Sequence, residues 1–306
     1  MQIIKINIPQ NEYNVLLGSG IFKKLLKEIN QIELVKNIFV VVDSNVQKFY
    51  PNEIDKLIAS HNGKINLLVI EVNEKLKSFS TMQKIYKAII EKDYSRDTLL
   101  IAIGGGIIGD ICGFVSATFS RGIQYVQVPT TLLSTVDSSV GGKTGINFGK
   151  TKNIIGSFYQ PNLVLIDVNF LKTLEEDELL SGIGEVVKYA YLTDMDFHQY
   201  VKKNINKIFN KNSKVISNII SESVRFKGDV VVSDEKESGN RKILNLGHTF
   251  AHAFEVETKF KLKHGQAVIV GIASALFLSF KLGLINNSKL EEMLELINVF
   301  KNKIYI

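Results

Sequence analysis

The chain has 306 residues, 45% hydrophobic and 22% charged, with a formal net charge of +6. That is too apolar for a disordered chain and long enough for one large domain or two ordinary ones. A single cysteine, Cys112, excludes a disulfide framework or multi-cysteine metal cluster and points to a reducing, cytoplasmic compartment, while lysines scattered without a basic, aromatic-interleaved run argue against a nucleic-acid partner and leave a small anionic substrate open.

The chain starts without the long apolar run of a signal peptide. Alternating residues at 3–8 and 13–18 flank a Pro-Gln-Asn turn and read as a hairpin. Residues 21–29 read as a helix and IFVVVD (38–43) as a buried strand. A helix, a strand at 66–72 and a helix through 83–92 follow, then strands at 98–106, 123–128 and 163–168. Strands separated by helical patterns predict parallel pairing with crossover helices. Strand signals stop after about residue 170, so the boundary is placed there, giving domains 1–170 and 171–306. Helical spacing is read at 175–194, 213–232, 242–260, 264–280 and 288–300. The apolar stretch 267–280 has 14 residues. It falls short of the ~20 that span a bilayer, so a buried core helix is expected and no membrane partner.

GGGIIGD (104–110) follows a strand and opens a helix, and Gly104, Gly106 and Gly109 fit a GxGxxG spacing. Glycine there lets backbone approach a pyrophosphate at a helix N-terminus; a plain strand-to-helix turn explains the same residues. The usual fingerprint has an acid about twenty residues on, where Gln124 and Tyr125 stand here. Asp43, closing its strand, is the candidate ribose acid instead. VPTTLLSTVDSSVGGKTGIN (128–147) gathers Thr130, Thr131, Asp137 and Lys143 among small residues, as a phosphate-approaching loop requires, but lacks the first glycine of GxxxxGK[ST].

Three of the five histidines, His248, His252 and His264, fall within 17 residues. His248 and His252 share a helix face, and His264 opens the next helix. Glu185, on an earlier apolar helix, is a carboxylate that needs a partner. Two imidazoles and one carboxylate with an open position suit a catalytic metal, although spacing does not say which two histidines take part. Thr249 stands where HExxH needs its glutamate. Among the cations Arg121, Lys143, Lys152, Lys188, Lys227 and Arg241, Lys188 is the hardest to read as a surface charge, because its helix neighbours are apolar.

Taken together, GGGIIGDICGFVSATFSRGIQYVQVPTTLLSTVDSSVGGKTGIN, GKTKNIIGSFYQP, GEVVKYA, LNLGHTFAHAFE and HGQAV closely resemble the 3-dehydroquinate synthase family, over about residues 38–280. The resemblance implies an α/β Rossmann-like N-terminal domain and a mainly α-helical C-terminal domain, with bound NAD, a divalent metal (zinc, or cobalt) and a homodimer. It implies a phosphate-eliminating lyase of the shikimate pathway and aromatic amino acid biosynthesis, making 3-dehydroquinate from 3-deoxy-D-arabino-heptulosonate 7-phosphate. By motif the metal ligands would be Glu185, His248 and His264. Lys143, Asn153, Lys188, Lys227, Arg241, Asn245 and His252 would meet substrate, with Arg121 donated by the partner subunit. NAD would contact Asp43, Glu74, Lys77, Gly105, Gly106, Asp110, Thr130, Thr131, Asp137, Lys143, Lys152 and Thr173. Family members usually run on past this point with further helices and an Asp-Lys-Lys motif that FKNKIYI does not match, so the helical domain is expected to lack its usual last helices. A polyol dehydrogenase on the same fold, another sugar-phosphate cyclase and a truncated inactive remnant are the rival readings. The cluster Lys143, Lys188, Lys227 and Arg241 argues against the first, since an uncharged polyol needs no such cations.

Overall fold

The computed structural model describes residues 1–9, 11–32, 37–149, 151–259 and 261–304. Gln10 of the predicted hairpin turn, Lys150 of the GKTKN stretch, Phe260 ending the predicted helix 242–260, and the last two residues of FKNKIYI lie outside them. The chain divides into two units, Met1–Thr173 and Leu174–Ile306.

The first unit holds, in chain order, β1 (Gln2–Ile6), β2 (Tyr13–Gly18), α1 (Leu25–Ile29), β3 (Asn37–Asp43), α2 (Ser44–Phe49), α3 (Pro51–Ala59), β4 (Lys64–Ile70), α4 (Phe79–Glu91), β5 (Thr98–Gly104), α5 (Gly106–Thr118) and β6 (Gln124–Pro129), then β7 (Lys143–Phe148), β8 (Thr151–Phe158) and β9 (Leu163–Asp167). Seven strands form one sheet in the order β1-β2-β9-β6-β5-β3-β4. The β1–β2 hairpin is antiparallel and every other pairing in this sheet is parallel, as expected. Strands buried on both faces read as near-continuous aliphatic runs, and β5 is buried at all seven residues. Alternate residues serve opposite faces. Val40 and Val42 pack with Leu25, Ile54 and Leu57, whereas Phe39 and Val41 pack with Met82, Ile85, Ile89 and Ile111.

The chain turns from one direction of strand addition to the other at β3, which has β4 on one side and β5 on the other. In doubly wound sheets ligands bind at such a switch point, outside the carboxyl ends of the strands. Asp43 ends β3 and Gly104 ends β5. The segment 143–148, expected within a loop, is instead strand β7, paired antiparallel with β8. Gly145 and Gly156 face each other across that pair, and their glycines mute the strand signal.

The second unit holds α6 (Glu176–Leu192), α7 (Met195–Phe209), α8 (Ser213–Ser233), α9 (His248–Glu257), α10 (His264–Lys281) and α11 (Asn287–Asn298). No strand occurs among its described residues. The expected helix 242–260 is broken: a 3-10 turn covers Asn240–Asn245, and α9 starts only at His248. Gly247 causes the break, with φ +78 in the left-handed region that glycine enters without steric cost. Helix α10 corrects a second expectation. It is buried at most positions from Gly265 to Ile272, but Phe277 and Leu278 are exposed, and by length and composition alone it could cross a membrane.

Candidate metal centre and nucleotide site

Two close helix approaches in the second unit assemble its site. A Cβ on Gly184 of α6 would lie 2.1 Å from the Gly265 carbonyl oxygen of α10. One on Gly271 of α10 would lie 2.2 Å from the Gly247 carbonyl oxygen. Only hydrogen fits at either crossing, so backbones touch. The residues next to these glycines are Glu185, His264 and His248.

The ligating atoms of Glu185, His248 and His264 all lie within 4.8 Å of one another. Glu185 Oε1 is 3.6 Å from His248 Nε2 and 3.3 Å from His264 Nε2. Glu185 is 1% exposed, and its other oxygen pairs with the Lys188 ammonium one helical turn on, itself 2% exposed. Burying charge is tolerable only with such partners. His248 Nδ1 lies 3.2 Å from the Leu246 carbonyl, which can only accept. The ring therefore carries its proton on Nδ1 and turns a lone pair on Nε2 toward Glu185. Burial lowers the His248 pKa, against the pull of Glu185. For His264 burial also opposes charge, but Glu185 and Glu255 outweigh it and hold the pKa up to about 10. A buried carboxylate facing two imidazole nitrogens makes a place where a metal cation is electrostatically welcome.

The structure thus separates the histidines that spacing left open. His252 shares a face with His248, their rings 5.6 Å apart, but it is exposed and outside the triad. Glu255 is a residue that the motif reading missed. Its carboxylate is 3.7 Å from His264 Nδ1 and is buried, the place of the outer carboxylate behind a metal-binding imidazole. Its signal was available: seven residues after His248 is the same helix face. Lys227 on α8 and Arg241 are buried as well. Arg241 donates to the Glu235 carbonyl, and its own N–H to Asp234 Oδ2 at 3.1 Å. Asn245 donates to Glu237 Oε1 at 3.2 Å. Asp234 binds the N–H groups of Arg241, Gly239 and Ser238, which lowers its pKa to about 2.

In the first unit, Asp43 ends β3, and Glu74, Lys77, Gly105, Gly106, Asp110, Thr130, Thr131, Asp137 and Thr173 all follow the carboxyl ends of β4, β5, β6 or β9, strands that run parallel with β3. Asp43 caps α2, accepting from Asn45 N at 2.8 Å, and burial raises its pKa. Gly105 is the N-cap of the 13-residue α5. A Cβ there would lie 3.1 Å from Thr131 Cγ2, and one on Gly106 would lie 2.9 Å from Ser138 Oγ. Gly109 instead packs against Gln127, so the third glycine of the spacing serves helix–strand contact. The Thr130 N–H donates to Gly104 O at 2.9 Å, and Thr131 is bonded to Ser134. Asp137 lies in the π-helical turn Ser134–Ser138. Lys77, 5% exposed, donates to both Asp110 and Asn153. Glu74 is exposed and accepts from Asn147. Thr173 Oγ1 bonds the Tyr50 hydroxyl at 3.1 Å. Lys143 and Lys152 are exposed at the starts of β7 and β8, and Arg121 is exposed with φ +66.

The family description "3-dehydroquinate synthase N-terminal" matches residues 67–181, and "3-dehydroquinate synthase C-terminal" matches residues 182–305. A 3-dehydroquinate synthase of Aliivibrio fischeri is 38% identical over 302 residues, which cover 98% of this chain and 83% of that one. Among solved structures, a 2-deoxy-scyllo-inosose synthase superposes with a TM-score of 0.89 at 22% identity, covering 100% of this chain and 85% of that one. A 2-epi-5-epi-valiolone synthase from Streptomyces hygroscopicus, with NAD+ and Zn2+ bound, gives 0.84 at 25% identity, covering 95% and 82%. With both halves matched and identity near two-fifths across nearly its whole length, this chain belongs to the 3-dehydroquinate synthase family.

Proposed function

We propose that the protein is a 3-dehydroquinate synthase that converts 3-deoxy-D-arabino-heptulosonate 7-phosphate to 3-dehydroquinate and phosphate, with NAD and a divalent metal, zinc. The observation that carries the reading is the Glu185–His248–His264 triad, built on a buried carboxylate, in a chain of this family. Two imidazoles and a carboxylate are a donor set suited to zinc with one position open. The Gly105–Gly106 turn at the N-terminus of α5 suits a pyrophosphate, since any Cβ would fill it. When bound, the metal supplies Lewis-acid polarisation of a substrate oxygen and NAD a transient hydride acceptor.

The chain's own residues do the rest. Leu246 O sets the His248 tautomer, and Glu255 steadies His264. Lys188 compensates the Glu185 charge and keeps its carboxylate oriented. The ammonium groups of Lys143, Lys188 and Lys227 and the Arg241 guanidinium suit the carboxylate and phosphate of the substrate, Asn153, Asn245 and His252 its hydroxyls, and Lys152 the nucleotide. Lys77 and Asp110, paired on one another, present a fixed charge pair to the nucleotide. Arg121 is proposed to serve the partner subunit of a homodimer. A cytoplasmic setting suits Cys112, which is fully buried, its thiol pKa pushed up by burial.

The test is to incubate the protein with zinc, heptulosonate phosphate and a trace of NAD, and follow phosphate. Phosphate release far beyond the NAD present, with no build-up of NADH, is expected. NADH accumulating in step with product would favour a dehydrogenase and overturn the proposal.

A further inference from the structure

Asn147, on β7, closes the 128–147 segment, which gives it no role, yet every polar group of its side chain is engaged. Its Nδ2 donates to the Glu74 carboxylate at 2.8 Å and to the Glu74 carbonyl at 3.2 Å. Its Oδ1 accepts the Asn153 N–H at 2.8 Å, and its own backbone N–H donates to Lys77 O at 2.8 Å. The partners fix the amide's orientation. Turned over, it would set NH2 against an N–H and an oxygen against a carboxylate. Asn153 has φ +53, in the left-handed region that most L residues avoid and that asparagine visits as a single residue when hydrogen bonds support it. The bond to Asn147 pins that conformation, while Lys77 takes hold of the Asn153 side chain. One amide thus joins the turn carrying Glu74 and Lys77 to the start of β8, which carries Asn153.

We propose that Asn147 is a positioning residue that couples NAD binding at Glu74 and Lys77 to the conformation of Asn153, and so to binding of the sugar phosphate. This rests on the roles given to those three residues under the proposed function. With NAD holding Glu74, the amide is held too, and Asn153 stays in the backbone geometry that presents its side chain. Coupling of this kind is reciprocal, so substrate tightens NAD by the same factor. Asparagine is needed because the link takes a donor at one end and an acceptor at the other; aspartate keeps only the acceptor.

The experiment uses the zinc-loaded protein and titrates NAD by calorimetry, with and without a phosphonate analogue of the heptulosonate that cannot eliminate phosphate. Steady-state kinetics and melting curves accompany it. In Asn147→Ala, NAD should bind about tenfold more weakly, the weight of one or two hydrogen bonds. The tightening of NAD by the phosphonate should shrink toward none, and the kinetic loss should fall on KM more than on kcat. Asn147→Asp sets a carboxylate against Glu74 but still accepts from Asn153. It should weaken NAD at least as much and raise KM less. A folded Asn147→Ala protein with unchanged NAD affinity and unchanged coupling overturns the proposal. Should that variant fail to fold, unchanged NAD affinity in Asn147→Asp does the same. Glu74→Ala separates the two layers. If it too leaves NAD affinity unchanged, the assignment of Glu74 fails and takes the coupling with it; if it weakens NAD while both Asn147 variants do not, the coupling alone fails.

Discussion

Gly184→Ala tests whether the helix crossing builds the metal centre. The new methyl carbon would sit 2.1 Å from Gly265 O and 2.4 Å from Gly265 Cα, where ordinary contact begins near 3.4 Å. Backbone cannot swing aside as a side-chain tip can. Helices α6 and α10 must therefore part by about 1.3 Å (3.4 less 2.1). Glu185 follows residue 184 directly and His264 precedes residue 265, so the 3.3 Å separation of Glu185 Oε1 and His264 Nε2 must widen by a comparable amount. Overpacking of this kind costs ~1–3 kcal/mol, partly offset by the ~1 kcal/mol that alanine adds to a helix. The net loss of stability is therefore small, but a ligand displaced by about 1 Å weakens metal binding by at least ~10-fold. Zinc affinity by competition with a chromogenic chelator, alongside a melting curve of the metal-free protein, separates these effects. The expected pattern is a melting point lowered by a few degrees and a tenfold or larger loss of affinity. Unchanged zinc affinity would refute the claim that this crossing sets the ligand geometry.

Removing a ligand outright, His264→Ala, should abolish stoichiometric zinc and nearly all turnover while the folded protein keeps its helical circular dichroism; full zinc occupancy would strike His264 from the ligand set. Asp110→Asn takes the carboxylate from buried Lys77 and should weaken NAD by roughly tenfold, since charged hydrogen bonds contribute ~1.5–3 kcal/mol; calorimetry that finds wild-type affinity would leave Asp110 a purely structural residue. Burial holds the His198 pKa below its ordinary value, with Lys202 and Lys289 acting the same way and Glu292 and Glu295 against. Its neutral ring, edge-on to Tyr191 at 5.1 Å, favours the fold above the unfolded pKa of about 6.5. That contribution is lost as pH falls from there through the lowered folded value. His198→Phe should flatten this part of the stability profile, and denaturant melts that show the same loss of stability from pH 7.5 to 5.5 in both proteins would contradict it.

The α/β half was legible because strands buried on both faces leave an aliphatic run with no polar alternation, as in β5. The helical half announced itself by apolar spacing and by three histidines in a chain that holds five. The choice among them was not legible from spacing. His248 and His252 are equivalent by helical periodicity, and it is the path of α10 that brings His264 beside His248 and Glu185, while His252 stays exposed. That path is set where Gly184 meets Gly265 and where Gly247 meets Gly271, contacts of bare backbone that leave no period in a sequence. The β7–β8 hairpin and its Asn147 links were hidden for a related reason. Periodicity reports which face of an element is buried, whereas hydrogen bonds from residue 147 to residue 74 and close approaches between helices far apart in the chain exist only after those elements have packed.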